Sequence, residues 1–280
     1  MGKSREKVRE RLRKLPFYVE KAADIAIEKT PGRPNKLDLV ERTMLFLFVR
    51  LMNKSNRDME LMLELLKPLL KAEVSYKSIE RLYSDEEVKL VLHNLFILLL
   101  KDENVSDNLS GDGTGYSLSI AKHYNSNPEK RGKDYKYVFR LMDLETGMYV
   151  ATGYSSESEM DAFNKATSMA KELGISSIAL DKYYSSRKVL QLFGNETAVY
   201  VIPKKNIRKI GIGWSRILRK ILSDPAGFLV NYFKRNLSEA GFSSDKRRFG
   251  WIIRQKRDDR VEMAAFATSI LHNLFFIRVK

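Results

Sequence analysis

The chain has 280 residues, a net charge of +15 from 50 Lys+Arg against 35 Asp+Glu, and no cysteine. An apolar share of 44% is enough to bury a core, which excludes intrinsic disorder over most of the chain. The lack of cysteine excludes a disulfide scaffold, a cysteine nucleophile and cysteine-ligated metal sites, and it suits a reducing compartment. The length predicts two domains.

The positive charge is concentrated in two segments. Residues 1–35 hold 10 basic against 5 acidic side chains, and residues 203–260 hold 16 against 5, or +11 of the +15. A basic surface can serve solubility alone. Charge gathered in blocks instead favours a polyanionic partner, nucleic acid before anionic membrane, because Lys and Arg release counterions when they contact phosphates.

No targeting or membrane segment is predicted. The charged start of the chain leads into no apolar signal core. The two most apolar stretches are Met44–Met52, interrupted by Arg50, and Val88–Leu100, interrupted by His93 and Asn94. Both fall short of the roughly 20 residues that a membrane span needs. We therefore expect buried helices and a cytoplasmic protein.

The first hundred residues have helical periodicity and one clear breaker. Pro16 is expected to interrupt the first helix, and the Pro- and Gly-rich segment Thr30–Pro34 is expected to be a linker. The predicted helices of this region are Val8–Leu15, Phe17–Glu28, Leu37–Met52 and Ser55–Leu66.

Two further helices suggest a DNA-binding motif. A short helix opens at Ser75, a good N-cap, and a longer helix follows over Glu86–Leu100. This outline is typical of a helix-turn-helix, in which the polar start of the short helix, with Lys77 and Arg81, would contact DNA. The alternative is an ordinary helical bundle with a solvated helix. Residues 1–108 are thus predicted to form an all-helical, helix-turn-helix-like domain.

From residue 109 the pattern changes to alternating strands and helices. The order is that of a ribonuclease-H-like α/β domain over residues 109–280, a mixed sheet flanked by helices in which strand–helix–strand units run parallel. The predicted strands are Leu109–Ile120, Tyr135–Leu144, Met148–Tyr154, Ser177–Leu180 and Ala198–Ile202. The predicted helices are Met160–Leu173, stopped by Gly174, Ser185–Phe193, and a last helix over Val261–Ile277.

Two aspartates stand at special points of this sheet. Asp112 lies within the first strand, and Asp181 directly follows the fourth. Those strands are neighbours in such a fold, so the two carboxylates should converge, and carboxylate oxygens suit Mg²⁺. Singly, each residue has a structural explanation, since Asp112 could belong to a turn and Asp181 could cap a helix.

A third acid should come from the C-terminal helices. The candidates there are Asp224, Glu239, Asp245, Asp258, Asp259 and Glu262. Spacing favours Glu239, because Tyr232, Arg235, Glu239 and Lys246 match a Tyr-Arg-Glu-Lys signature. With this signature downstream of two placed aspartates, the chain resembles prokaryotic DDE transposases of the fourth insertion-sequence family and its relatives. Helical periodicity would put Tyr232, Arg235 and Glu239 on one helix face, although an exposed i,i+4 ion pair would have the same spacing.

The resemblance implies a DNA transposase that cuts the element ends and joins them to target DNA. It implies that Asp112, Asp181 and Glu239 hold two Mg²⁺ ions, which Mn²⁺ could replace. The phosphate- and DNA-binding residues would be Tyr232, Arg235, Lys246, Arg247 and Arg248, and the N-terminal helices would bind the terminal repeats. Double-stranded DNA would be the partner of a homodimer associated with the nucleoid.

The chain also departs from the family. Only 58 positions separate Asp181 from Glu239, which leaves no room for the β-rich insertion of some relatives. Trp214 and Trp251 could stack on a base, but both are expected to be buried, and His123 is expected to be a surface residue. The alternatives are a ribonuclease-H-like host nuclease and a non-catalytic DNA-binding protein derived from a transposase.

Overall fold

The computed structural model describes residues 2–24, 36–65, 73–118, 135–204 and 211–275. The predicted linker at Thr30–Pro34 and His123 lie outside these residues. The chain forms two compact units, each composed of separate stretches of sequence. The first contains Met1–Asn104, Gly115–Lys136 and Asp245–Lys280, and the second contains Val105–Thr114 and Tyr137–Ser244. The domain boundary between residues 108 and 109 stays a prediction.

Helices and strands follow the predicted order closely. Within the described residues the helices are α1 (Gly2–Ala23), α2 (Leu39–Met52), α3 (Asn56–Leu65), α4 (Tyr76–Leu82), α5 (Glu86–Asp102), α6 (Glu159–Ala170), α7 (Arg187–Gln191), α8 (Ile212–Ser223), α9 (Pro225–Phe233), α10 (Asn236–Phe249) and α11 (Asp258–Phe275). The strands are β1 (Asn108–Leu118), β2 (Tyr135–Asp143), β3 (Tyr149–Ser155), β4 (Ser177–Leu180), β5 (Ala198–Tyr200) and β6 (Ile252–Ile253). None of these helices is long and apolar enough to cross a membrane.

The predicted interruption at Pro16 is wrong, because α1 runs through it. A proline inside a helix removes one backbone hydrogen bond. The helix nevertheless continues because Leu15, Val19 and Ala22, on either side of the proline, are buried, and α1 packs against α5. Tertiary packing outweighs the local cost here.

Helix α11 forms the centre of the first unit. Its residues from Val261 to Leu274 are buried except Glu262, so this helix is enclosed on nearly all sides. It packs against α1, α2 and α5. Arg50 of α2 is 2% exposed, and its Nε donates to the Ala264 carbonyl at 3.1 Å and to Thr268 Oγ1 at 3.0 Å. The C-terminal helix thus belongs to the N-terminal helical core.

The sheet has the order β3-β2-β1-β4-β5. Strands β2 and β3 pair antiparallel, whereas β1–β4 and β4–β5 pair parallel. This confirms the predicted parallel strand–helix–strand units. The two-residue strand β6 was not predicted, and it pairs parallel with the end of β1 through Ser117 and Leu118 in the first unit. A strand this short has no periodicity to detect.

Close packing on the sheet depends on a glycine in β3. A Cβ on Gly153 would lie 1.9 Å from the carbonyl oxygen of Ala162, so only glycine lets α6 approach this closely. Beneath α6 an aromatic cluster forms, with the rings of Phe139 and Phe163 at 5.0 Å and those of Phe163 and Tyr184 at 4.9 Å. This packing provides a rigid base beside β1.

Candidate catalytic site

The register of β1 and β4 places the two aspartates at corresponding positions. Gly111 pairs with Leu180, and Asp112 and Asp181 are the next residues on the two parallel strands. The predicted adjacency of these strands is confirmed. Asp181 also accepts a hydrogen bond from the Tyr183 amide at 3.0 Å as the cap of a 3-10 turn. The capping interpretation of Asp181 is therefore confirmed, and its role as a metal ligand stays a prediction.

Arg235 connects Asp181 with Glu239. Its Nη1 lies 3.5 Å from Asp181 Oδ1 and also donates to Glu239 Oε1 in the first turn of α10. Its guanidinium carbon lies 5.3 Å from the centre of the Tyr232 ring, which is 5% exposed. Burial opposes the charge of Arg235, but the Tyr232 phenol and the carboxylates of Glu239 and Asp181 outweigh this effect and hold its pKa above the ordinary value.

The prediction that Tyr232, Arg235 and Glu239 share one helix is wrong. Helix α9 ends at Phe233 and α10 begins at Asn236. Between them the Arg235 amide donates to the Tyr232 carbonyl at 3.2 Å, in the tighter i+3 pattern. The three side chains still meet, because Tyr232 and Glu239 lie on opposite sides of this turn and both contact Arg235.

Asp112 is in an unfavourable position for an ionised carboxylate. Burial raises its pKa to about 7, and the negative charges of Glu239 and Glu159 act in the same direction. A hydrogen bond from the Gly113 backbone and the positive charge of Arg235 lower the pKa and compensate only in part. The site therefore concentrates negative charge where solvation is poor, which a bound cation would relieve.

Glu159 was missed at the sequence level. It lies in the first turn of α6, and its Oε1 accepts a hydrogen bond from the Tyr184 hydroxyl at 2.5 Å. The three acidic residues of the run Glu157–Asp161 look alike in the sequence. Only the packing of α6 on β3 brings Glu159 to Gly113 and Asp112.

Three of the other five candidate acids have structural roles. Asp224 caps α9 by accepting from the Gly227 amide at 2.9 Å. Asp245 is buried, and its Oδ1 lies 2.7 Å from Nδ1 of His272. Asp259 pairs with Arg257. These assignments leave Glu239 as the candidate that meets Asp181 through Arg235.

The carboxylates have the right chemistry for a hard divalent cation, but they are not arranged as a preformed coordination site. Among the described residues, no group of three or more His, Asp or Glu side chains is positioned to hold a metal ion. The guanidinium of Arg235 instead neutralises Asp181 and Glu239. The donor set fits Mg²⁺, which takes one or two carboxylates and keeps several waters, provided that Arg235 moves away from them.

The remaining predicted DNA contacts belong to the first unit. Lys246 donates to the Gly115 carbonyl at 3.3 Å, and its ammonium lies 5.1 Å from the ring centre of Trp251. Arg247 and Arg248, which follow on α10, are exposed. Lys77 and Arg81 are exposed as well, on the seven-residue helix α4. Lys246 is half-buried, whereas the other four are exposed, and a role in phosphate contact stays a prediction for all five.

The two tryptophans differ. Trp214 is 3% exposed, which confirms its predicted burial. Trp251 is 61% exposed, so its predicted burial is wrong. Trp251 directly follows Gly250, whose φ of +89° ends α10 and turns the chain. The residue type alone does not predict whether a tryptophan at such a turn is buried.

The chain is similar to known proteins both in sequence and in fold. The chain is 63% identical over 280 residues to a probable transposase for insertion sequence element ISA1214 of Archaeoglobus fulgidus, and the match spans 99% of this chain and 87% of that relative. No protein-family model matches. The fold resembles a piggyBac transposase, solved by cryo-EM as a synaptic complex with hairpin DNA, with a TM-score of 0.52 over 92% of this chain and 70% of that one at 9% identity. The chain belongs to the insertion-sequence transposases.

Proposed function

We propose that this transposase cuts DNA at the ends of its element and joins them to target DNA with two Mg²⁺ ions held by Asp112, Asp181 and Glu239. The observation that carries the proposal is the register of β1 and β4, which sets Asp112 and Asp181 side by side. The strand order and the parallel pairs also support a ribonuclease-H-like catalytic domain. Two ions about 3.5–4 Å apart would supply activation of the attacking oxygen and stabilisation of the leaving one.

Arg235 has two successive roles in this proposal. In the absence of a cation it neutralises Asp181 and Glu239. When these carboxylates bind cations, the guanidinium is released to make a bidentate contact with a DNA phosphate. The Tyr232 ring, which packs beside Arg235, would limit the positions that the guanidinium can take.

DNA binding would draw on basic residues of the first unit. Lys246, Arg247 and Arg248 continue α10 beyond Glu239, and Lys77 and Arg81 lie on α4. We propose that they contact the terminal repeats and the target as double-stranded DNA, in a homodimer. This substrate would place the protein at the nucleoid, in the cytoplasm of a prokaryote.

Cleavage of a labelled element end with Mg²⁺ or Mn²⁺ tests the proposed function. The variants Asp112→Asn, Asp181→Asn and Glu239→Gln should each abolish cleavage and strand transfer while they still bind DNA. Glu172→Gln, an exposed position after α6, is the matched control and should keep parental activity. Full cleavage by any one of the three variants would overturn the assignment of that carboxylate.

The parent protein by itself distinguishes the remaining alternatives. Cleavage of RNA–DNA hybrids or branched DNA in preference to element ends would indicate a host nuclease of the ribonuclease-H type. Binding of element ends without cleavage at any divalent cation concentration would indicate a non-catalytic DNA-binding descendant.

A further inference from the structure

Glu159 is held beside Asp112 by a rigid partner. The Tyr184 hydroxyl donates to Glu159 Oε1 at 2.5 Å, and the Tyr184 side chain is 1% exposed. Its ring packs at 4.9 Å from Phe163 and 5.1 Å from Phe139. A hydrogen bond from so constrained a donor fixes where the carboxylate of Glu159 lies.

The backbone of β1 is shaped to accept this carboxylate. A Cβ on Gly113 would lie 2.5 Å from Glu159 Oε1, so glycine is needed for the carboxylate to rest against β1. Asp112 is the residue before Gly113 on β1, so two carboxylates are held within one residue of each other on this strand. A repulsive arrangement of two carboxylates needs a compensating reason, since like charges disfavour each other.

The second oxygen of Glu159 is available. Oε1 accepts from Tyr184, whereas Oε2 has no hydrogen-bond or ion-pair partner within the residues that the structure describes. Arg235, the nearby cation, pairs instead with Asp181 and Glu239. Glu159 is thus a positioned carboxylate with one unused oxygen, against the residue that follows Asp112 on β1.

We propose that Glu159 is a fourth carboxylate of the catalytic centre, which binds the same divalent cation as Asp112 and is positioned by Tyr184. The proposal rests on the metal site of the proposed function and adds one residue to it. The hydrogen bond to Oε1 leaves Oε2 for the cation or for one of its waters, and partners that orient metal ligands are worth about 10–100-fold in metal affinity. The alternative is a purely structural role, in which the Glu159 carboxylate only joins α6 to Tyr184 through their hydrogen bond.

Binding of Mn²⁺ to the purified full-length protein without DNA separates these roles. Isothermal calorimetry should show that Glu159→Gln weakens Mn²⁺ binding by about tenfold or more. Tyr184→Phe, which keeps the ring and removes the hydroxyl, should weaken it in the same direction. Gly113→Ala should do so as well, because its methyl group displaces the carboxylate of Glu159. Glu172→Gln should bind like the parent.

Parental Mn²⁺ affinity in a folded Glu159→Gln overturns this inference. If that variant does not fold, Tyr184→Phe decides, and parental affinity there overturns it equally. Asp112→Asn distinguishes this failure from failure of the proposed function. If Asp112→Asn loses Mn²⁺ binding and Glu159→Gln does not, the metal site exists but does not include Glu159. If Asp112→Asn binds Mn²⁺ like the parent, the proposed metal site itself is refuted.

A second readout is the Mn²⁺ concentration required for half-maximal cleavage of an element end. Glu159→Gln should raise it about tenfold and recover most of the maximal rate at saturating Mn²⁺, because the other carboxylates remain. A lower maximal rate at an unchanged Mn²⁺ requirement would contradict a role in binding the cation.

Discussion

Asp112 should destabilise the metal-free protein when it is ionised. Its pKa rises from an ordinary 3.8 to about 7 because burial removes solvent from the carboxylate and because Glu239 and Glu159 repel its charge. The Gly113 backbone and Arg235 offset these effects only partly. Asp112→Asn removes the charge at nearly constant volume, so we expect this inactive variant to be more stable than the parent.

The size and the pH range of this effect follow from linkage. Below pH 3.8 Asp112 is protonated in the folded and unfolded states, and the charge costs nothing. Between about pH 4 and pH 7 the unfolded chain ionises first, so the parent loses stability as the pH rises, and above about pH 7 the full cost applies. A tenfold change in an ionisation constant is worth about 1.4 kcal/mol, which sets an upper limit of about 4 kcal/mol. Water reaches part of this side chain, so we expect about 2–4 kcal/mol.

Urea unfolding with EDTA at pH 4.5 and pH 8 measures this difference. Asp112→Asn should exceed the parent in free energy of unfolding by about 1 kcal/mol at pH 4.5 and by about 2–4 kcal/mol at pH 8. Glu172→Gln should show no such change. Saturating Mg²⁺ should stabilise the parent more than Asp112→Asn and so narrow the gap, by about 2.7 kcal/mol at a hundred times the dissociation constant. Equal or lower stability of Asp112→Asn at pH 8 would refute the electrostatic reasoning.

Three further predictions concern other parts of the molecule. Gly153→Ala should lower the free energy of unfolding by about 3 kcal/mol or more, because its Cβ would meet the backbone of α6 at 1.9 Å. Gly194→Ala, with open space around it, should be nearly neutral in the same urea titration. Similar free energies of unfolding for the two variants would argue against close packing of α6. Arg235→Ala should tighten Mn²⁺ binding in calorimetry and weaken DNA binding, since the guanidinium no longer competes for the two carboxylates; an unchanged Mn²⁺ affinity would exclude that competition. Replacing Arg247 and Arg248 together by Ala should reduce the slope of log affinity for DNA against log salt by about two, and an unchanged slope would mean that neither contacts phosphate.

Local sequence patterns predicted most of the secondary structure. Alternating residues in Tyr135–Leu144 predicted β2, and Gly174, with a φ of +76°, ends the turn after α6 as expected. Ser75 caps α4 by accepting from the Ser78 amide, also as expected. These predictions succeed because strand alternation, caps and glycine stops depend on neighbouring residues only.

Where the pattern failed, distant packing had outweighed local preference. Burial of one face carries α1 through Pro16. The chain turns at Arg235 and divides a predicted continuous helix in two, which no change in periodicity signals. The exposure of Trp251 likewise depends on what lies around it and not on its own hydrophobicity.

The sequence alone was sufficient to predict helices first and a mixed sheet afterwards. Position and spacing singled out Asp112, Asp181 and Glu239 among 35 acidic residues, and their catalytic role stays a prediction. The tertiary structure decided which of these side chains interact. The register of β1 and β4 places Asp112 and Asp181 directly after the paired residues Gly111 and Leu180. The turn at Arg235 links Asp181 to Glu239, and α6 packed on Gly153 brings Glu159 to Asp112. Contacts between residues far apart in the chain arise from sheet register and close packing, which leave no local pattern in the sequence.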